Sequence, residues 1–109
     1  MRRGEIWTAA AGSGYVGKPR PVVIVQDDRF DATSSVTVCA MTTDPTDAPL
    51  LRVPINPDDN NRLRETSRLM VDKLTTVRRA KLGQRTGRVT ANQMVTVERA
   101  LLVFLGLAG

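Results

Sequence analysis

Arg20 is the residue whose surroundings most clearly favour chemistry, because it stands between two prolines in residues 17–21, which read Gly-Lys-Pro-Arg-Pro. Each proline fixes its own φ and restricts the backbone of the residue before it, so the arginine has few conformations to choose from. Its planar guanidinium stays protonated and fits a phosphate through two parallel hydrogen bonds. On spacing alone, an ion pair with a surface carboxylate explains the arginine equally well.

The charge distribution favours the phosphate interpretation. The formal net charge is +5, and residues 62–88 alone hold nine Lys or Arg against two acidic residues. Such a basic block is typical of proteins that bind polyanions, because each neutralised phosphate releases counterions. A solvated basic surface is the plainer alternative.

The residue types that are missing limit the chemistry further. The chain has no histidine and one cysteine, Cys39. This excludes histidine-activated nucleophiles, paired imidazoles and His-ligated zinc. Cys39 lies in an alternating apolar run, which predicts a small core residue rather than a nucleophile.

Length and composition predict one globular domain over residues 1–109. No stretch approaches the roughly 20 consecutive apolar residues of a membrane helix, and the first residues lack the apolar block of a signal peptide. We therefore expect a cytoplasmic protein.

Alternating and β-branched runs predict five strands, with a short sixth at residues 83–89. Pro54 cannot donate to a ladder and marks its strand as an edge. In the fifth strand, alternation predicts that Leu69, Val71, Thr75 and Val77 share one face, opposite Arg68, Met70, Asp72 and Leu74. The five strands are expected at residues 5–9, 21–26, 35–41, 50–55 and 67–77.

The chain is predicted to end in a helix, because Thr90 followed by Gln93 is a capping-box pattern. Apolar residues then recur at three- and four-residue spacing. The stripe is wider than one buried face requires, which favours a homodimer. Its members are Met94, Val97, Leu101, Phe104 and Leu105, widened by Val95, Leu102 and Val103. Five or six short strands and one helix describe a small antiparallel barrel.

Several segments together resemble the MazF/PemK toxins of bacterial toxin–antitoxin pairs. The chain opens with Gly-Glu-Ile-Trp at residues 4–7, and residues 17–25 read Gly-Lys-Pro-Arg-Pro-Val-Val-Ile-Val. Cys-Ala-Met-Thr-Thr at residues 39–43 resembles the family's strand that ends in a catalytic threonine. Residues 67–77 resemble its strand with an acidic residue, so the likeness covers nearly the whole chain.

The resemblance implies an SH3-like barrel of the PemK/MazF/CcdB type that acts as a homodimer. The implied activity is a ribosome-independent, sequence-specific endoribonuclease that cuts single-stranded RNA and so inhibits translation and growth; mRNA is the expected substrate, tRNA and rRNA are alternatives, and the main target among the three stays open. It implies no metal and no other cofactor. The implied partner is an acidic, MazE-like antitoxin that occludes the RNA groove.

The resemblance also places residues in roles. Arg20 and Thr42 take the catalytic places, and Asp72 matches an acidic position that some members use, either as a base or to orient the guanidinium. An ordinary ion pair is the alternative for Asp72. The expected RNA-binding residues are Lys18, Thr43, Lys73 and Tyr15.

RNA carries its own nucleophile, so positioning and charge stabilisation are the main requirements. The 2′-OH attacks the adjacent phosphorus, Arg20 and Thr42 contact the phosphoryl group, and the products are a 2′,3′-cyclic phosphate and a 5′-OH. A protonated guanidinium is a poor base, so the proton acceptor stays open. Tyr15 is the better candidate for base stacking, whereas Trp7 is expected to be a core or dimer-interface anchor.

Two departures from the family pattern stand out. Lys73 occupies a position where several members have Gln, and the histidine that some members use is missing. Two other functions remain open at this point. One is a CcdB-like gyrase poison, which needs a C-terminal tryptophan that this chain lacks, and the other is a non-catalytic SH3-like nucleic-acid-binding module.

Overall fold

Six strands and one helix make up the fold in a computed structural model that describes residues 1–10 and 19–109. The predicted mainly β fold with a C-terminal helix is confirmed. The strands are β1 (Glu5–Ala9), β2 (Arg20–Ile24), β3 (Ser35–Thr42), β4 (Arg52–Ile55), β5 (Ser67–Arg78) and β6 (Leu82–Arg88), and the helix is α1 (Ala91–Phe104).

The strands form one antiparallel sheet in the order β4-β5-β3-β2-β1-β6. β4 is an edge strand, as Pro54 predicted, and β2 lies inside the sheet, as its apolar run predicted. Within the described residues no ladder joins β4 to β6. Instead, the backbone N–H of Arg88 on β6 donates to the Asn60 carbonyl of the loop after β4 at 2.9 Å.

The two faces of the sheet carry separate apolar clusters, because successive strand residues point to opposite sides. The helix-side cluster includes Val23, Cys39 and Leu69, and it packs against Met94 and Val97 of α1. The opposite-side cluster is smaller and is formed by Ala9, Val22, Ile24, Val36, Val38 and Leu82. The helix therefore covers one face of the sheet. Polar strand residues lie on the other face, beyond the opposite-side cluster.

The predicted faces of β5 are wrong for its second half. Leu74 packs on the helix-side cluster together with Leu69, whereas Val77 packs on the opposite-side cluster. Leu69 and Leu74 are five positions apart, yet their partners on β3, Met41 and Cys39, are only two apart. This irregularity inserts an odd number of residues into β5, which exchanges the faces of everything beyond it.

The predicted capping box of α1 is confirmed. The Thr90 hydroxyl accepts from the Gln93 N–H at 3.1 Å, and the Gln93 side chain accepts from the Thr90 N–H at 2.7 Å. The predicted apolar stripe is buried only in part, because Phe104 and Leu105 at the C-terminal end are 44% and 50% exposed.

Candidate active site

Arg20 and Thr42 stand at neighbouring ends of two adjacent strands. β2 and β3 pair Ile24 with Val38 and Val22 with Ala40. Continuing this register by two residues on each strand places Arg20 opposite Thr42. The exposed Arg20 opens β2, and Thr42 ends β3, so both side chains stand at one end of the sheet.

The two prolines of the arginine motif are accommodated by this position. Pro21 pairs with Thr8 of β1, and Arg20 pairs with Ala9, so the arginine is the first ladder residue of its strand. Pro19 precedes the ladder and needs no hydrogen bond from it. The backbone of Arg20 is thus held by its pairing with β1, and the prolines before and after it restrict its conformation further.

The hydroxyl of Thr42 is fixed by the turn that follows it. Its Oγ1 accepts from the backbone N–H of Asp44 at 3.1 Å. A hydroxyl that accepts one bond still has its own proton to donate. Thr42 can therefore present a donor to a ligand at the end of β3.

Arg68 is a functional candidate that sequence reasoning missed. It pairs directly with Thr42 across β3 and β5, and its Nη1 donates to the carbonyl of Asp44 at 3.3 Å. Arg20, Thr42 and Arg68 alternate with helix-side residues on their strands, so all three point to the face away from α1. Two features of the sequence pointed to Arg68. It belongs to the basic block of residues 62–88, and alternation predicted that it shares a face of the fifth strand with Asp72.

Asp72 forms an ion pair with Arg52 of the neighbouring edge strand. The carboxylate accepts from Arg52 Nη1, which also donates to the Leu51 carbonyl at 3.1 Å. The Asp72 and Arg52 side chains are 22% and 20% exposed. Arg52 pairs with Met70, two residues before Asp72, so this pair lies on the same face as Thr42.

The turn after Thr42 carries a carboxylate among these arginines. Hydrogen bonds from the Thr46 hydroxyl and N–H, together with the nearby charges of Arg52 and Arg68, lower the pKa of Asp44 below its ordinary value. Asp44 therefore stays ionised and helps to balance the positive charge on this part of the sheet.

The remaining expected RNA-binding residues are placed only in part. Thr43 and Lys73 are exposed, the first just beyond β3 and the second directly after Asp72. Lys18 and Tyr15 lie outside the described residues, as does most of the glycine-bearing loop between β1 and β2.

Trp7 packs against the opposite-side cluster and hydrogen bonds to Glu5, whose Oε1 accepts from the indole N–H at 3.0 Å. Burial alone would raise the pKa of Glu5. Hydrogen bonds from the Arg2 N–H and the Trp7 indole, together with the nearby positive charges of the N-terminal ammonium and Arg85, outweigh burial, so the pKa of Glu5 lies below its ordinary value. Trp7 is thus anchored in the core, as expected for one of its two predicted roles.

Cys39 is fully buried, and burial raises the pKa of its thiol to about 12. It stays protonated and is no nucleophile, as predicted. Across residues 1–10 and 19–109, no group of three or more His, Cys, Asp or Glu is placed to hold a metal ion. Over the same residues, α1 and the short 3-10 turns included, no helix has the length and apolar character needed to cross a membrane.

Comparison with known proteins adds to this geometry. Residues 2–105 match the family of PemK-like, MazF-like toxins of type II toxin–antitoxin systems. The chain belongs to this family. A probable endoribonuclease MazF of Mycolicibacterium smegmatis is 61% identical to it over 109 residues, which cover all of both chains.

Solved structures of PemK/MazF-like proteins share the fold. An endoribonuclease from a mycobacterial species, solved with its cognate antitoxin, superposes with a TM-score of 0.83 at 26% identity and covers 100% of this chain and 98% of its own. Toxin MazF-mt6 of Mycobacterium tuberculosis gives 0.80 at 24% identity, over 96% of this chain and 99% of its own. The second likeness shows the fold alone.

Proposed function

We propose that this chain is an endoribonuclease toxin that cuts single-stranded RNA at specific sequences without a metal ion, using Arg20 and Thr42. Its membership of the PemK/MazF-like toxins and its 61% identity to a probable endoribonuclease support the activity. The observation that supports the residue assignment is the register of β2 and β3, which, continued to the ends of both strands, brings Arg20 and Thr42 together on the face away from α1.

The reaction requires a phosphodiester, its own 2′-OH and a site that stabilises charge. The 2′-oxygen attacks phosphorus, negative charge grows on the non-bridging oxygens, and the 5′-oxygen leaves. Arg20 binds two of these oxygens through its planar fork, and the Thr42 hydroxyl donates to the same phosphoryl group. The products are a 2′,3′-cyclic phosphate and a 5′-OH.

Arg68 and Asp72 have supporting roles in this proposal. Arg68 faces Thr42 and adds positive charge where the phosphate would lie. Asp72 is paired with Arg52, so its carboxylate is already engaged by a guanidinium of the neighbouring strand. We therefore assign Asp72 to the positioning of Arg52 rather than to proton transfer.

We propose that this chain also binds an acidic antitoxin, because the similar mycobacterial endoribonuclease was solved with its cognate antitoxin. Arg20, Arg52 and Arg68 gather on one face, and an acidic, partly disordered peptide would be drawn to the same surface as RNA. RNA binding that stays undiminished at saturating antitoxin would contradict this shared surface.

We also propose a homodimer that acts in the cytoplasm, where its RNA substrate is found. The C-terminal end of the chain exposes an apolar patch, which on a soluble protein favours an interface. Its members are Val95, Leu102, Val103, Phe104, Leu105 and Leu107, each at least 40% exposed. A monomer in sedimentation equilibrium at micromolar concentration would overturn the dimer.

End-group mapping tests the proposed chemistry. Purified protein is incubated with a mixed single-stranded RNA in EDTA, and the fragments are labelled with polynucleotide kinase with and without prior phosphatase treatment. We expect cleavage in EDTA, with 5′-OH ends that accept label directly and 3′ ends that resist phosphatase until acid opens the cyclic phosphate. Loss of cleavage on chelation, or fragments that carry a 5′-phosphate, would refute the mechanism. RNA that is bound but never cut would favour a non-catalytic binding module.

A further inference from the structure

A basic cleft lies at the β6 edge of the sheet, outside the candidate active site. It has a volume of about 460 Å³ and is formed by β6 and the loop between β4 and β5. Three of its lining residues are arginines, Arg62, Arg85 and Arg88, and Asp59 is its one acidic residue. No apolar side chain larger than a threonine methyl lines it.

Within the described residues, two of the three arginines form no salt bridge, so their positive charge is available to a ligand. The Arg85 guanidinium is paired with Glu5 at 3.0 Å. Throughout the described part of the chain, the guanidinium groups of Arg62 and Arg88 have neither a salt bridge nor a side-chain hydrogen bond. Both residues are exposed. Their donors therefore face the cleft and solvent without a protein partner.

The loop that carries Arg62 is fixed by its own hydrogen bonds. The buried Asn61 side chain accepts from the N–H groups of Asp58 at 3.1 Å and Leu63 at 3.0 Å, and donates to the Asn56 carbonyl at 2.8 Å. Arg62 itself is held at φ 55°, the only non-glycine residue with positive φ in the described chain. An arginine in this region is strained, and such strain is often kept at functional sites.

The loop is also seated tightly on β6. A Cβ at Gly87 would stand 2.6 Å from the Asn61 carbonyl oxygen and 2.7 Å from that of Asn60, and the Arg88 N–H donates to the Asn60 carbonyl at 2.9 Å. Arg62 on the loop and Arg88 on the strand are thereby kept on the same cleft. Such preorganisation lowers the entropy lost when a ligand is bound.

The sheet places this cleft within a few nucleotides of the candidate active site. Arg85 pairs with Trp7, two residues from Ala9, which pairs with Arg20 on the other side of β1. With about 4.8 Å between strands and about 3.3 Å per residue, the Cα atoms of Arg85 and Arg20 are roughly 12 Å apart.

We propose that this cleft binds a backbone phosphate of the RNA substrate, a few nucleotides away from the cleaved bond. The inference rests on the proposed endoribonuclease function, and it adds a second contact that depends on RNA length rather than on sequence. Two guanidinium groups carried on a fixed backbone suit a phosphodiester, which accepts planar, paired hydrogen bonds. An acidic peptide is the less suitable ligand, because the cleft has no apolar surface to anchor its side chains.

The test compares Arg62→Gln/Arg88→Gln with Arg78→Gln/Lys81→Gln, which removes the same charge from exposed residues outside the cleft. Each protein is titrated with a short RNA that spans only the mapped cleavage sequence and with the same RNA extended at either end, all with a 2′-deoxy group at the cut position. We expect the cleft variant to bind one extended RNA about tenfold more weakly and the short RNA within twofold of wild type. Its log–log salt slope on that RNA falls by about 0.7, for one phosphate that is no longer neutralised.

Equal loss of affinity for the short and extended RNAs, or an unchanged salt slope, would overturn the cleft proposal. So would a variant that loses binding to a poly-glutamate peptide while it retains the RNA, which would assign the cleft to an acidic protein partner. The proposed function is judged separately, by cleavage of the unmodified short RNA. If wild type cuts no RNA, a short and an extended single-stranded RNA of arbitrary sequence replace the mapped pair; selective loss of the extended RNA by the cleft variant then leaves the phosphate site standing while the endonuclease proposal fails.

Discussion

Replacing Asp72 by asparagine tests whether this carboxylate orients Arg52 or takes a proton from the RNA. Asparagine has nearly the same size and keeps one oxygen that can accept from Arg52 Nη1, so the substitution removes charge and leaves shape. Glu65→Gln is the matched control, because it removes one negative charge from an exposed residue outside the site.

The burial of the pair sets the size of the expected change in stability. The Asp72 and Arg52 side chains are 22% and 20% exposed, so the pair is intermediate between a surface pair and a buried one. A surface ion pair contributes roughly 0.2–1 kcal/mol to stability, whereas removing one partner of a buried pair costs roughly 3–5 kcal/mol. We expect Asp72→Asn to lower the free energy of unfolding by about 1–2 kcal/mol. For a domain of this size that lowers Tm by about 4–8 °C.

Single-turnover cleavage of a defined RNA separates the two roles. If Asp72 acts through Arg52, then Asp72→Asn, Arg52→Met and the double variant should each lose less than about tenfold in rate, and the two losses should not add. Loss of a general base costs about 10²- to 10⁴-fold and removes the acidic limb of the pH–rate profile. A loss above 100-fold in Asp72→Asn, with Arg52→Met near wild type, would refute the positioning role.

Three further predictions concern the framework of the site. Gly87→Ala should lower the free energy of unfolding by roughly 1–3 kcal/mol, because its Cβ would stand 2.6 Å from the Asn61 carbonyl oxygen, and a loss below about 0.5 kcal/mol in urea denaturation would contradict this contact. The pKa of Glu5 is lower in the folded protein than the ordinary value of about 4.5, so its carboxylate stabilises the fold above that pH and stops doing so as the pH falls through the lowered value. The difference in unfolding free energy between wild type and Glu5→Gln should therefore shrink in acid. A difference that grows in acid would contradict this. Thr90→Ala should lose about 1 kcal/mol in thermal denaturation through the capping box, with Thr90→Ser closer to wild type, and equal Tm values for all three proteins would show that the cap is unimportant.

Local patterns in the sequence predicted the elements well, because strand alternation and helix capping are written in neighbouring residues. Thr90 and Gln93 cap the helix through both expected hydrogen bonds, and Pro54 lies on an edge strand. Cys39 is a buried core residue, as its alternating run indicated.

Features that depend on pairing between distant strands could not be predicted in this way. The irregularity between β3 and β5 exchanged the faces of Leu74 and Val77, and no local pattern marks the residue at which a ladder slips. Arg68 faces Thr42 because β5 pairs with β3 rather than only with β4, its neighbour in sequence. The partners of Asp72 and Arg68 follow from that topology, so the sequence identified the charges but not their pairing.

In the proposed mechanism Arg20 and Thr42 together stabilise the phosphoryl group, and single-turnover cleavage in EDTA by four variants tests this role most directly. Loss of a preorganised donor typically costs about 10²- to 10³-fold in rate, so we expect that loss for Arg20→Ala and Thr42→Val. Thr42→Ser should stay near wild type, whereas Arg20→Lys should recover only part of the rate, because an ammonium lacks the planar fork. Cleavage by Arg20→Ala and Thr42→Val within threefold of wild type, with the fold intact by circular dichroism, would contradict the account.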